Sequence, residues 1–128
     1  MKNLLKSLRG VWAINAPVRW GAYYLTNLFI RLRNFFTKHW PAVGIVTVKL
    51  PGGPMFELYT EGDDWIATQA FWKGFGGYEG QSEYIFSSLA RSAGTIVDIG
   101  ANIGYYSLIA AAANPSATII AFEPASKA

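Results

Sequence analysis

The chain has 128 residues, 52% hydrophobic and 15% charged, a balance that supports a buried core and excludes the polar, highly charged make-up of disorder. It has no cysteine, which excludes disulfides, thiolate metal sites and cysteine nucleophiles, and its single histidine, His39, cannot build a zinc centre alone. The net charge of +3 is uneven, because Lys2, Lys6, Arg9, Arg19, Arg31, Arg33 and Lys38 all precede the first acidic residue, Glu57.

Residues 1–41 form a basic, aromatic extension. Leu25, Leu28, Phe29, Leu32, Phe35 and Phe36 recur at three- and four-residue spacing, as on one helix face. Gly10, Pro17 and Gly21 interrupt the segment, so two shorter helices are expected rather than one long one. The longest uncharged run, Trp20 to Ile30, has eleven residues, against the roughly 20 a helix needs to span a bilayer. No apolar stretch after Lys2 leads to a small-residue cleavage site, so a signal peptide is not expected and the reading is cytoplasmic. The extension is read as helical structure packing on the rest of the protein. The alternative is a membrane-surface or protein-interaction module, with residues 1–40 meeting anionic lipid as a peripheral contact. No nucleic-acid partner is assigned. His39, beside Trp40-Pro41 at a helix end, reads as a structural or surface residue.

Residues 42–77 change character. Val43 to Leu50 is rich in β-branched residues, Pro51-Gly52-Gly53-Pro54 is a turn cluster and Met55 to Thr60 is again strand-like, which predicts a β-hairpin. A second turn is expected over Glu61-Gly62-Asp63-Asp64. Trp65 to Trp72 fits either a short strand or a helical turn, and Gly74, Gly76 and Gly77 mark a flexible loop. Within residues 78–128, Tyr84, Ile85 and Leu89 give a helical stripe between Glu79 and Arg91, closing around Ser92 to Gly94. Glu79 and Glu83 near its start suit the positive end of the helix dipole.

The chemistry lies further on. Thr95-Ile96-Val97-Asp98-Ile99 is a short apolar run carrying a carboxylate near its end, followed by Gly100-Ala101-Asn102-Ile103-Gly104 and the helix-like stretch Tyr105 to Ala113. A second apolar run, Thr118 to Phe122, ends at Glu123-Pro124. Strand, glycine turn, helix and strand make a βαβ unit with an acid at the tip of each strand, where open α/β sheets bind their ligands. A dinucleotide fingerprint starting at Gly100 would need glycine at 102 and 105, which are Asn102 and Tyr105. Asp98 is poorly placed for a pyrophosphate. S-adenosylmethionine presents an ammonium and a sulfonium instead, which an acid ahead of the turn can meet by charge and hydrogen bonding. Glu123, about 20 residues beyond the turn, is placed to accept both ribose hydroxyls, as an acid does in the related dinucleotide fold. A purely structural reading assigns Gly100 and Gly104 to a tight connection, makes Asn102 the helix cap and leaves Tyr105 and Tyr106 as packing residues. Two acids ending two apolar strands favour function, since they are costly without a ligand.

Val97-Asp98-Ile99-Gly100-Ala101-Asn102-Ile103-Gly104-Tyr105-Tyr106-Ser107, followed by Ala121-Phe122-Glu123-Pro124, resembles the FkbM-type family of methyltransferases over roughly Tyr78 to Lys127. The resemblance implies an α/β fold of the class I methyltransferase (Rossmann-like) kind, here preceded by the helical extension and the hairpin. It also implies S-adenosylmethionine as donor and O-methylation of a hydroxyl on a sugar or secondary metabolite, with a small-molecule or glycan acceptor. The positions matching the cofactor motif and its turn are Asp98, Gly100, Ala101, Asn102, Gly104 and Glu123. Such a fold has about seven strands, and the chain stops just after the second, so an inactive fragment is expected. No catalytic residue and no metal ligand are assigned.

Overall fold

The computed structural model describes Gly21 and residues 30–125. Among the described residues it is a mixed α/β arrangement of four helices and two two-stranded sheets. In chain order these are α1 (Ile30–His39), β1 (Gly44–Lys49), β2 (Met55–Thr60), α2 (Trp65–Lys73), α3 (Gln81–Ala90), β3 (Thr95–Ile99), α4 (Tyr105–Ala113) and β4 (Thr118–Phe122). Most of the basic aromatic extension, with Leu25, Leu28 and Phe29 of its helical stripe, lies outside the described residues. No described helix is long and apolar enough to cross a membrane.

Strands β1 and β2 pair antiparallel from Gly44 opposite Thr60 to Lys49 opposite Met55, which is the predicted hairpin. Its side chains alternate strictly. Val46, Val48, Phe56 and Leu58 point into the core, while Ile45, Met55 and Tyr59 stay exposed. The Leu50 amide donates to the Pro54 carbonyl (2.8 Å), closing the turn over Pro51-Gly52-Gly53.

The ambiguous run after the hairpin is a helix. Asp64 caps it, its carboxylate accepting from the Ala67 amide at 2.8 Å, and the Gly74 amide closes the far end on the Ala70 carbonyl. Ile66, Ala67, Ala70 and Trp72 are buried. The Trp72 indole donates to the Trp40 carbonyl (2.9 Å) and its ring stacks on Phe36 at 5.6 Å, which ties the end of α1 to α2.

Residues 74–80 are a pinned turn rather than the flexible loop their glycines suggest. The Glu83 carboxylate accepts the amides of Gly76, Tyr78 and Glu79, and a β-carbon on Gly77 would lie 2.7 Å from the Gly74 carbonyl and from Lys73. Helix α3 starts at Gln81, so Glu79 sits outside the helix and Glu83 in its first turn.

Strands β3 and β4 run parallel, with Asp98 opposite Ala121 and Ile99 opposite Phe122, and α4 is the crossover between them. The main core lies between the hairpin, α2 and α4, where Tyr105 and Ile109 meet Val46, Val48, Phe56 and Ala67. The Asn114 side chain binds the Ala90 and Ala93 carbonyls, so the far end of α4 is fastened to the end of α3.

Candidate functional site

The site residues converge at the carboxyl ends of β3 and β4. After Ile99 the chain reverses through Gly100 (φ 80°), Asn102 (φ 50°) and Gly104 (φ 76°), all left-handed. Glycine takes this conformation freely, and asparagine is among the few other residues that tolerate it. The turn is fastened to β4, because the amides of Gly100 and Ala101 both donate to the Phe122 carbonyl, at 2.8 and 3.0 Å. The Asn102 amide donates to Glu123 Oε2 (2.7 Å) and the Ala125 amide to Glu123 Oε1 (2.8 Å). These backbone hydrogen bonds hold the exposed Glu123 carboxyl below its ordinary pKa. Asn102 is therefore not the helix cap. The N-cap is Gly104, which has no side chain to supply, and Asn102 acts through its backbone.

The first three residues of α4 each donate a hydroxyl to a carboxylate. Tyr105 donates to Glu83 (2.8 Å), Tyr106 to Glu79 (2.5 Å) and Ser107 to Asp98 (2.6 Å). With Glu123 behind the turn, four acids surround one helix N-terminus, whose dipole favours negative charge. Burial first, and then the adjoining carboxylates, push the Tyr105 and Tyr106 hydroxyls far above the usual phenol range. Both remain proton donors at neutral pH.

The structure thus brings Asp98, Gly100, Ala101, Asn102, Gly104 and Glu123 together around one turn. A β-carbon built on Gly100 or Gly104 would meet no atom within 4 Å, so space over the turn is open. Tyr105 is a packing residue, 1% exposed and edge-on to Phe56 and Tyr78, yet its hydroxyl also reaches Glu83. Sequence reasoning missed the links from Glu79 and Glu83 to α4. The available signal was the run Tyr105-Tyr106-Ser107, three hydroxyls directly behind a glycine turn. No family model, curated protein or solved structure matches this chain.

Proposed function

We propose that residues 78–125 carry the S-adenosylmethionine-binding βαβ unit of an FkbM-type methyltransferase with a class I, Rossmann-like sheet. The observation behind this reading is the acidic ring around an open glycine turn. Asp98 and Glu79 stand beside the first turn of α4, where a dinucleotide site would present helix amides to its pyrophosphate, and carboxylates there repel phosphate. They suit a ligand carrying an ammonium and a sulfonium.

Each residue has a task in that reading. Asp98, held by Ser107, meets the cationic end of the ligand, and Glu123 faces the ribose hydroxyls across the end of β4. Gly100 and Gly104 keep the turn in its left-handed shape and leave its outer surface clear. When bound, the cofactor supplies an electrophilic methyl group. Transfer to an acceptor hydroxyl is chiefly a matter of holding donor and acceptor in line, and these residues serve the donor side. The reaction class we assign is O-methylation of a sugar or secondary-metabolite hydroxyl.

Calorimetric titration tests the assignment. S-adenosylmethionine should bind the chain, NADH should not, and Asp98→Asn or Glu123→Gln should each weaken binding about tenfold or more, as expected for a lost charge-assisted hydrogen bond. Binding of NADH without S-adenosylmethionine, or equal binding by all variants, would refute it.

A further inference from the structure

Glu83 is the most buried charged residue described, 0% exposed, and no part of the cofactor assignment uses it. Its carboxylate accepts four hydrogen bonds. Oε2 takes the Gly76 amide (2.8 Å) and the Tyr105 hydroxyl (2.8 Å), and Oε1 takes the amides of Tyr78 (3.0 Å) and Glu79 (2.9 Å). All four partners are neutral donors. A buried carboxylate is costly unless its acceptor sites are filled, and here they are filled by two separate pieces of chain: the glycine-rich turn before α3 and the first residue of α4.

Tyr105 directly follows Gly104, so whatever fixes Tyr105 fixes the downstream end of the cofactor turn. The upstream and middle parts are fixed differently, by the Phe122 carbonyl at the end of β4 and by Glu123 just beyond it. Ser107 to Asp98 ties the helix to β3. Without Glu83, the start of α4 would keep its attachments to the sheet, the Tyr106–Glu79 bond and the Tyr105–Tyr78 ring contact, but lose the buried carboxylate that joins Tyr105 to the amides of residues 76–79. The same carboxylate holds the Glu79 amide, and Glu79 in turn receives the Tyr106 hydroxyl.

Resting on the cofactor reading above, we propose that Glu83 is a positioning residue for that site, acting through Tyr105 to hold the Gly100–Gly104 turn and the first turn of α4 in the geometry that receives S-adenosylmethionine. A turn held in place before the ligand arrives does not have to be ordered by it, and the affinity is higher for that reason.

Two variants of the full chain test this, Glu83→Gln and Tyr105→Phe. Glutamine keeps the shape but directs an NH2 group at donors, and phenylalanine keeps the buried ring and removes a single hydrogen bond. Both are measured well below their unfolding midpoints, by calorimetry with S-adenosylmethionine and by hydrogen exchange of the amides of residues 100–107. Positioning predicts an affinity about tenfold weaker in Glu83→Gln and about threefold weaker in Tyr105→Phe, with faster exchange at the turn in both. A lowered midpoint with unchanged affinity in the folded variants would make Glu83 a purely structural residue and overturn the proposal. If Glu83→Gln does not fold, Tyr105→Phe decides alone. If the unmodified chain binds no S-adenosylmethionine, the cofactor reading fails and takes this proposal with it. A failure of positioning alone looks different: the unmodified chain binds, Asp98→Asn binds at least about tenfold more weakly, and both Glu83→Gln and Tyr105→Phe bind normally.

Discussion

The hairpin and the β3–β4 pair are both two-stranded sheets, yet one face is fully buried in the first and only partly covered in the second. In the hairpin, alternation divides the strands cleanly, and Val48 on the inner face is 1% exposed. In β3 and β4, Asp98 shares a face with Ile96, Ile119 and Ala121 and is bonded to α4, so that face is the one turned to the helix. The other face carries Val97, Ile99, Ile120 and Phe122, with Val97 53% and Ile99 83% exposed. The hairpin half is organised by burial. The βαβ half is organised at its carboxyl edge, by hydrogen bonds to carboxylates.

The contrast predicts different responses to substitution. The largest effect belongs to the burial-dominated half, where Trp72→Ala removes a buried indole, its bond to the Trp40 carbonyl and its stacking on Phe36. The expected cost is about 3–5 kcal/mol, read by urea denaturation. The same truncation on the two sheets should differ: Val48→Ala should cost about 2 kcal/mol, and Val97→Ala, on the uncovered face, less than about 0.5 kcal/mol. Equal costs would show that the β3–β4 face is covered in solution. Asp64→Ala, which removes the cap of α2, should cost about 1 kcal/mol in the same assay.

The smallest effect is electrostatic and belongs to the βαβ half. The folded Glu123 carboxyl titrates below its unfolded value, so its contribution is present above the ordinary carboxylate pKa and is lost as pH falls through the lower folded value. Amide exchange at Asn102, corrected for its intrinsic pH dependence, should therefore accelerate in that acid window. Glu123→Gln should remove the step.

The two halves were also unequally legible in the sequence. The hairpin could be read outright, because Val46, Val48, Phe56 and Leu58 alternate with polar or exposed positions around an unmistakable turn cluster. The βαβ unit was legible too, from two apolar runs flanking a glycine turn, and Asp98 and Glu123 do stand beside the same turn. Trp65 to Trp72 was not resolved, since its apolar residues fit either period and only the Asp64 cap and the Gly74 stop decide for helix. The glycines at 74, 76 and 77 suggested mobility because the group that pins them, Glu83, acts from within the next helix. Asn102 looked like a cap from its place before a helix, but the left-handed turn adds two residues and passes the cap to Gly104. For the glycines the missing information was a contact made from the next helix, and for the other two it was local backbone geometry that residue pattern alone does not fix.

In the function proposed above, a cationic cofactor sits on the glycine turn between Asp98 and Glu123. The most direct test is to titrate S-adenosylmethionine into the isotopically labelled chain and follow its amide resonances. Saturable shifts confined to residues 98–107, Glu123 and the 76–79 turn are expected, with the hairpin amides of 44–60 unmoved. Shifts centred on the hairpin, or none at the turn at saturating ligand, would contradict it.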